Sequence, residues 1–195
     1  MTVKNEIKGE TYKKLIEYAI NNCAEFSLVY RYDQNLEYNT HMKNKLKEYQ
    51  AAGINIDEIE NIQEKSSIKE ALLIDKYNEI HQKTLKKLKK YKLHEKYETM
   101  FSSIKNKEIP YASTYYYKKN KELLNFFLEK NSIYEWVFEN SLEDLSFYIG
   151  GSPFIQTVAH EHLCWIECRN KEEYEYLKSI GIKFLEKEFE PSIYF

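Results

Sequence analysis

Arginine is nearly missing from this 195-residue chain: Arg31 and Arg169 stand against 27 lysines. The guanidinium is the group that grips phosphates and base edges in bidentate fashion, so its scarcity counts against a sequence-reading nucleic-acid binder. Five Gly and three Pro exclude a collagenous, linker-rich or low-complexity chain. Three cysteines, Cys23, Cys164 and Cys168, are too few and too unevenly placed for a disulfide framework, which fits a reducing compartment. No run approaches the roughly 18 consecutive apolar residues that span a bilayer, and the opening MTVKNEIKGE lacks the apolar stretch of a signal peptide. The expectation is a soluble, cytoplasmic protein that engages no membrane. A Gly-rich phosphate loop, a G-x-S-x-G elbow, a Rossmann fingerprint and an H-E-x-x-H pair are also missing, so no cofactor is expected.

Aromatic residues, by contrast, are plentiful. Eighteen Tyr, ten Phe and two Trp supply more ring surface than a disordered chain carries, and the length is enough for one domain with a real core. The formal charge of −2 conceals a polarity along the chain. Residues 1–121 hold 23 basic and 17 acidic side chains, whereas residues 122–195 hold 6 and 14. Asymmetry of this kind bears on partners more than on fold. The two parts attract each other, or the acidic end is presented to a basic partner.

Spacing predicts a helix over 10–21, with Tyr12, Leu15, Ile16 and Ala19 on one face, and then a half-buried strand in EFSLVYRY. From 38 to 105 the pattern is helical. Met42, Leu46 and Tyr49 line one helix that Gly53 ends; Ser67 and Glu70 form a capping box for a long helix through Leu73, Tyr77, Ile80, Leu85 and Leu88; Tyr97, Met100, Phe101 and Ile104 repeat the spacing in a third. This stretch reads as a helical insertion within a single domain spanning 1–195, because no linker flanks it. Strand signals return in YASTYYY, followed by a helix through Leu123, Leu124, Phe127 and Leu128 and a capped turn at Ser132–Glu135. EDLSFYI and PFIQTVA form a hairpin across Gly150 and Gly151, and HLCWIEC follows through a tight turn or a continuous strand at His160–Glu161. Asn170 caps a last helix, Gly181 ends it, and IKFLEKEFE reads as an edge strand. The class is α+β, with a mostly antiparallel sheet.

Three constellations could carry function. His160, His162, Cys164 and Cys168 alternate onto one face if 160–168 is a continuous strand, within about 7 Å at i and i+2, and could share a metal. The plainer reading makes the cysteines core residues and the histidines turn residues. His160, Glu161 and His162 could likewise serve a small metal-dependent hydrolase or nuclease, although acidic neighbours disfavour a cysteine thiolate there. Glu143 and Asp144, as adjacent strand residues, should point to opposite faces and act apart. The stripe Lys83, Lys86, Lys87, Lys89, Lys90 and Lys92 could neutralise phosphates, with Tyr115, Tyr116 and Tyr117 as stacking surfaces, or be a solvated helix face. The third feature is the aromatic, acidic C-terminal part. Glu143, Asp144, Tyr148, Glu161, Trp165 and Glu167 there fit the anchor-and-rim pattern of a protein-binding surface for a basic partner.

The order VYRY, TYYYK, IYEWVF and EDLSFY–GG–PFIQTVAHE resembles a family of small bacterial proteins from mobile, toxin-immunity or phage-defence gene neighbourhoods. The resemblance covers about half the chain, mostly residues 110–168. It implies an intracellular, non-enzymatic binding protein of the immunity, antitoxin or anti-defence type, and it transfers no catalytic residue.

Overall fold

The apolar stripe Tyr12, Leu15, Ile16, Ala19 and Ile20 is the buried face of α1 (Gly9–Asn22), as the helical spacing requires. β1 (Glu25–Arg31) follows, and its alternation divides the molecule. Phe26 and Leu28 enter the main core, while Ser27, Val29 and Arg31 lie on the opposite side of the sheet. This is a computed structural model, and it describes residues 1–32, 36–102, 107–185 and 189, with backbone alone at 101 and 102.

α2 (Leu36–Ala51) and α3 (Ile62–Leu88) form a helical hairpin with its own small core of Met42, Leu46, Ile59, Ile68 and Ala71. α3 is capped at Asn61, not at Ser67: the Asn61 side chain accepts from the Glu64 N–H, six residues before the cap that the Ser67–Glu70 pattern suggested. Leu73, expected on the buried stripe, is 47% exposed. The far end of α3 is tied to the main body by His81, whose ring packs edge-on against Tyr30 and Phe138 while its Nε2 lies 2.6 Å from the Phe138 carbonyl oxygen.

The expected third helix is a strand. β2 (Lys92–Ser102) pairs antiparallel with β3 (Lys107–Lys118), so the helical stretch ends near Tyr91; Tyr97, Met100 and Phe101 lie in β2, and Ile104 falls outside the described residues. After β3 comes a single turn, α4 (Leu124–Phe127), then β4 (Glu143–Ile149), β5 (Ser152–Val158), β6 (Leu163–Ile166) and α5 (Lys171–Ser179). Gly150 and Gly151, at φ 58° and 85°, supply the two left-handed residues that a tight β4–β5 hairpin needs. Asn170 caps α5 by accepting from the Glu173 N–H at 2.8 Å, as read from the sequence. Of the expected strand after Gly181, Phe184 forms a bridge to Val3, and residues 186–188 and 190 lie outside the described residues.

The α+β class holds. Six strands form one antiparallel sheet in the order β2-β3-β1-β4-β5-β6. One face is packed by α1, the end of α3, α4 and α5 through Phe26, Leu28, Tyr117, Leu145, Phe147, Ile155, Cys164 and Ile166. Residues 1–3 run along the outer edge of β6, with Val3 N–H donating to the Cys164 carbonyl and Ile166 N–H to that of Met1. The outer edge of β2, at the other end of the sheet, has no strand partner among the described residues. No described helix is long and apolar enough to cross a membrane.

Candidate functional site

Two groups of side chains sit on the sheet away from the helical layer. The first is built by a break in β4. Asp144 adopts φ 53°, a left-handed conformation that few residue types other than Gly, Asn and Asp tolerate, and the β1–β4 register shifts between Ser27 and Val29. This bulge overturns the expectation that Glu143 and Asp144 act apart. Both carboxylates turn onto Arg31: its Nε donates to Glu143 Oε2 at 2.9 Å, and its Nη2 lies 3.4 Å from Asp144 Oδ2. Nη1 donates to the Tyr111 hydroxyl. Asp144 Oδ1 accepts from the Ala159 N–H at 2.8 Å, which joins the bulge to the turn after β5.

That turn settles the geometry of the histidines. Residues 159–161 form one 3-10 turn and His162 takes a left-handed φ of 55°, so 160–168 is not a continuous strand. The proposed alternation of His160, His162, Cys164 and Cys168 therefore fails: both cysteines are buried while both histidines are exposed. Burial raises the Cys164 and Cys168 thiols to about 12, far from a reactive thiolate. His162 rests against the Tyr134 ring, and His160 Nε2 is 3.7 Å from Glu161 Oε1. The turn brings His160 to the two carboxylates instead, with one donor atom of each of Glu143, Asp144 and His160 within 4.8 Å of the other two.

The electrostatics of this cluster are unbalanced. Glu143 is only 4% exposed, and its Oε1 has no hydrogen-bond partner. Burial raises the Glu143 carboxyl above its ordinary range, although Arg31 pulls it down; Asp144 is raised by burial too, against the Ala159 N–H and Arg31. One guanidinium faces two acids.

The second group is a row of rings across the uncovered face. Tyr116 of β3 pairs with Ser27 of β1, Tyr148 of β4 pairs with Glu25 two residues along on the same face, and the small Ser27 side chain leaves room for the two rings to approach to 5.6 Å. The Tyr148 hydroxyl and Ser27 Oγ are 3.0 Å apart. His94 of β2 stacks on the other side of Tyr116 at 4.3 Å, and Trp165 of β6, paired with exposed Gln156, shares this face. Burial, the neighbouring Tyr148 hydroxyl and the charges of Glu98 and Glu25 push the Tyr116 hydroxyl up to about 12. All three of Tyr116, Tyr148 and Trp165 are half-buried, and none belongs to the main core.

The six residues read from the sequence as one acidic, aromatic surface thus fall in separate places. Glu143 and Asp144 turn inward, Tyr148 and Trp165 lie on the bare face, Glu161 stands exposed on the turn, and Glu167 is half-buried 3.6 Å from the Met1 amino group. His94 and Arg31 are not singled out by the sequence, and Tyr116 is read there only as a stacking surface beside the lysine stripe. A signal existed for Arg31, since an arginine kept inside a strand of a lysine-rich chain marks a place where guanidinium geometry is required.

Half of the lysine stripe is partnered. Lys87 pairs with Glu129, Lys90 with Glu122 and Lys92 with Glu95, and Lys92 also lies over the Tyr115 ring at 4.6 Å. Lys83, Lys86 and Lys89 are exposed without an ion pair among the described residues. Tyr115 and Tyr117 face the helical layer and Tyr116 the opposite one, so the three rings do not form one platform. No protein-family model, curated protein or solved structure matches the chain.

Proposed function

We propose that this is a non-enzymatic binding protein whose partner is another protein, docked on the bare face of the sheet. The observation that carries the reading is the half-exposed row His94–Tyr116–Tyr148, with Trp165 on the same face and Glu98 and Glu25 beside it. Aromatic anchors with satisfied polar tips at the centre and acids at the rim are how a surface selects a partner carrying basic groups. Both arginines are engaged by carboxylates, and three lysines of the basic stripe are paired, which favours a protein over a polyphosphate chain. A cytoplasmic role of the immunity, antitoxin or anti-defence type is consistent with this design.

The experiment is site-directed photocrosslinking in the native host. A photoreactive residue at Tyr148 should trap a protein that the same residue at Tyr176, on α5, does not. Tyr116→Ala with Tyr148→Ala should then weaken the purified complex at least tenfold. Equal crosslinking from both positions, or an unchanged affinity, would overturn the proposal. Salt-sensitive quenching of Trp165 by single-stranded oligonucleotides would assign the face to nucleic acid instead.

A further inference from the structure

We propose that Glu143, Asp144 and His160 form a binding site for one divalent transition-metal ion, with Arg31 positioning the carboxylates. The site is independent of the aromatic face and of any protein partner.

Four observations converge on it. Three donors from two separate segments, the β4 bulge and the turn after β5, meet within 4.8 Å. Asp144 takes a left-handed conformation at the β4 bulge, which brings its carboxylate to the same side as that of Glu143, and residues in sparsely populated conformations cluster at functional sites. Glu143 Oε2 is engaged by Arg31, whereas Oε1, on a side chain 5% exposed, has no donor at all. A buried carboxylate oxygen without a partner is costly, and a cation is the ligand that satisfies it. Finally, two carboxylates share one guanidinium, which leaves a residual negative charge beside a histidine open to solvent.

The donor set selects the ion. Two carboxylates and one imidazole suit zinc or manganese, whereas calcium and magnesium favour all-oxygen shells. Bonds of about 2.1 Å hold two donors of one ion no more than about 4.2 Å apart, so donors lying within 4.8 Å of one another need little movement to close on it. His160 is the donor able to move, with half its side chain exposed on the turn. Three protein donors also leave coordination positions for water.

The test uses the full chain, stripped with a chelator and titrated with zinc chloride and with manganese chloride by calorimetry. Wild-type protein should take up one equivalent, and magnesium at the same concentration should not compete. His160→Gln should weaken uptake at least tenfold without changing the melting temperature of the metal-free protein, because the side chain is outside the core. His162→Gln, two residues away and also exposed, should leave uptake unchanged. A wild-type protein that binds neither ion, or that loses binding through His162 instead of His160, would overturn the proposal.

Discussion

Arg31 and Glu143 belong to different strands, β1 and β4, and meet at 2.9 Å between Nε and Oε2. Because the same guanidinium also reaches Asp144 and the Tyr111 hydroxyl, one side chain fastens a bulge, a strand and a neighbouring ribbon. Lysine supplies the charge without the fork. Arg31→Lys should therefore cost about 2 kcal/mol in urea denaturation, in the range of lost charge-assisted bonds. A loss below about 0.5 kcal/mol would mean that a lone ammonium serves as well.

Asp144 combines an unfavourable φ with a raised carboxyl pKa. Asparagine tolerates the left-handed conformation, keeps an acceptor for the Ala159 N–H and removes a buried charge. Asp144→Asn should match or exceed wild-type stability at pH 7, whereas Asp144→Ala should fall by about 1–2 kcal/mol, because it loses the acceptor and strains the backbone. Equal melting temperatures for the two variants would refute this account.

The second arginine makes a prediction about pH. Burial works to raise Glu173, but the Arg169 side chain and N–H, with the Tyr18 hydroxyl, outweigh it and hold the carboxyl below its ordinary value. A folded-state pKa depressed below the unfolded one gives stability that is present above the unfolded value and lost as pH falls through the folded one. Glu173→Gln should thus cost about 2 kcal/mol at pH 7 and progressively less on acidification below about pH 4. A penalty independent of pH would show that packing, not charge, is at stake.

Cys23, Cys164 and Cys168 are all buried, and burial raises each thiol to about 12. A disulfide-exchange reagent should label none of them in native protein within minutes and all three in denaturant. Labelling of Cys164 or Cys168 without denaturant would reopen a nucleophilic role.

Much of the fold is legible in the sequence where one face is wet and the other dry. α1, β1, the Gly150–Gly151 hairpin and the Asn170 cap of α5 all follow from period and turn chemistry. β2 does not, for a physical reason. It is an edge strand exposed along nearly its whole length, so KLHEKYETMFS shows no alternation, and Tyr97, Met100 and Phe101 mimic a helical stripe. Pairing with β3, a non-local interaction, overrides the local pattern. The carboxylate cluster is hidden for a similar reason. Strand parity sends Glu143 and Asp144 apart, and only the bulge, fixed by pairing with β1 and by the Ala159 N–H, reunites them. The aromatic row depends on register as well: Tyr116 and Tyr148 are 32 positions apart, and nothing local announces that β1, through Ser27 and Glu25, will lie between them.

The two ends of the sheet are finished differently, and this limits how the molecule can associate. Residues 1–3 and the Phe184 bridge seal β6, while β2 keeps an unpaired outer edge among the described residues. A sheet open at both ends can propagate indefinitely by strand addition; one that is closed at one end admits a single guest. Two copies joined along β2 would bury both open edges and leave none for a third. Strand-to-strand association through β2 would then stop at a pair, because residues 1–3 already occupy the hydrogen-bonding edge of β6.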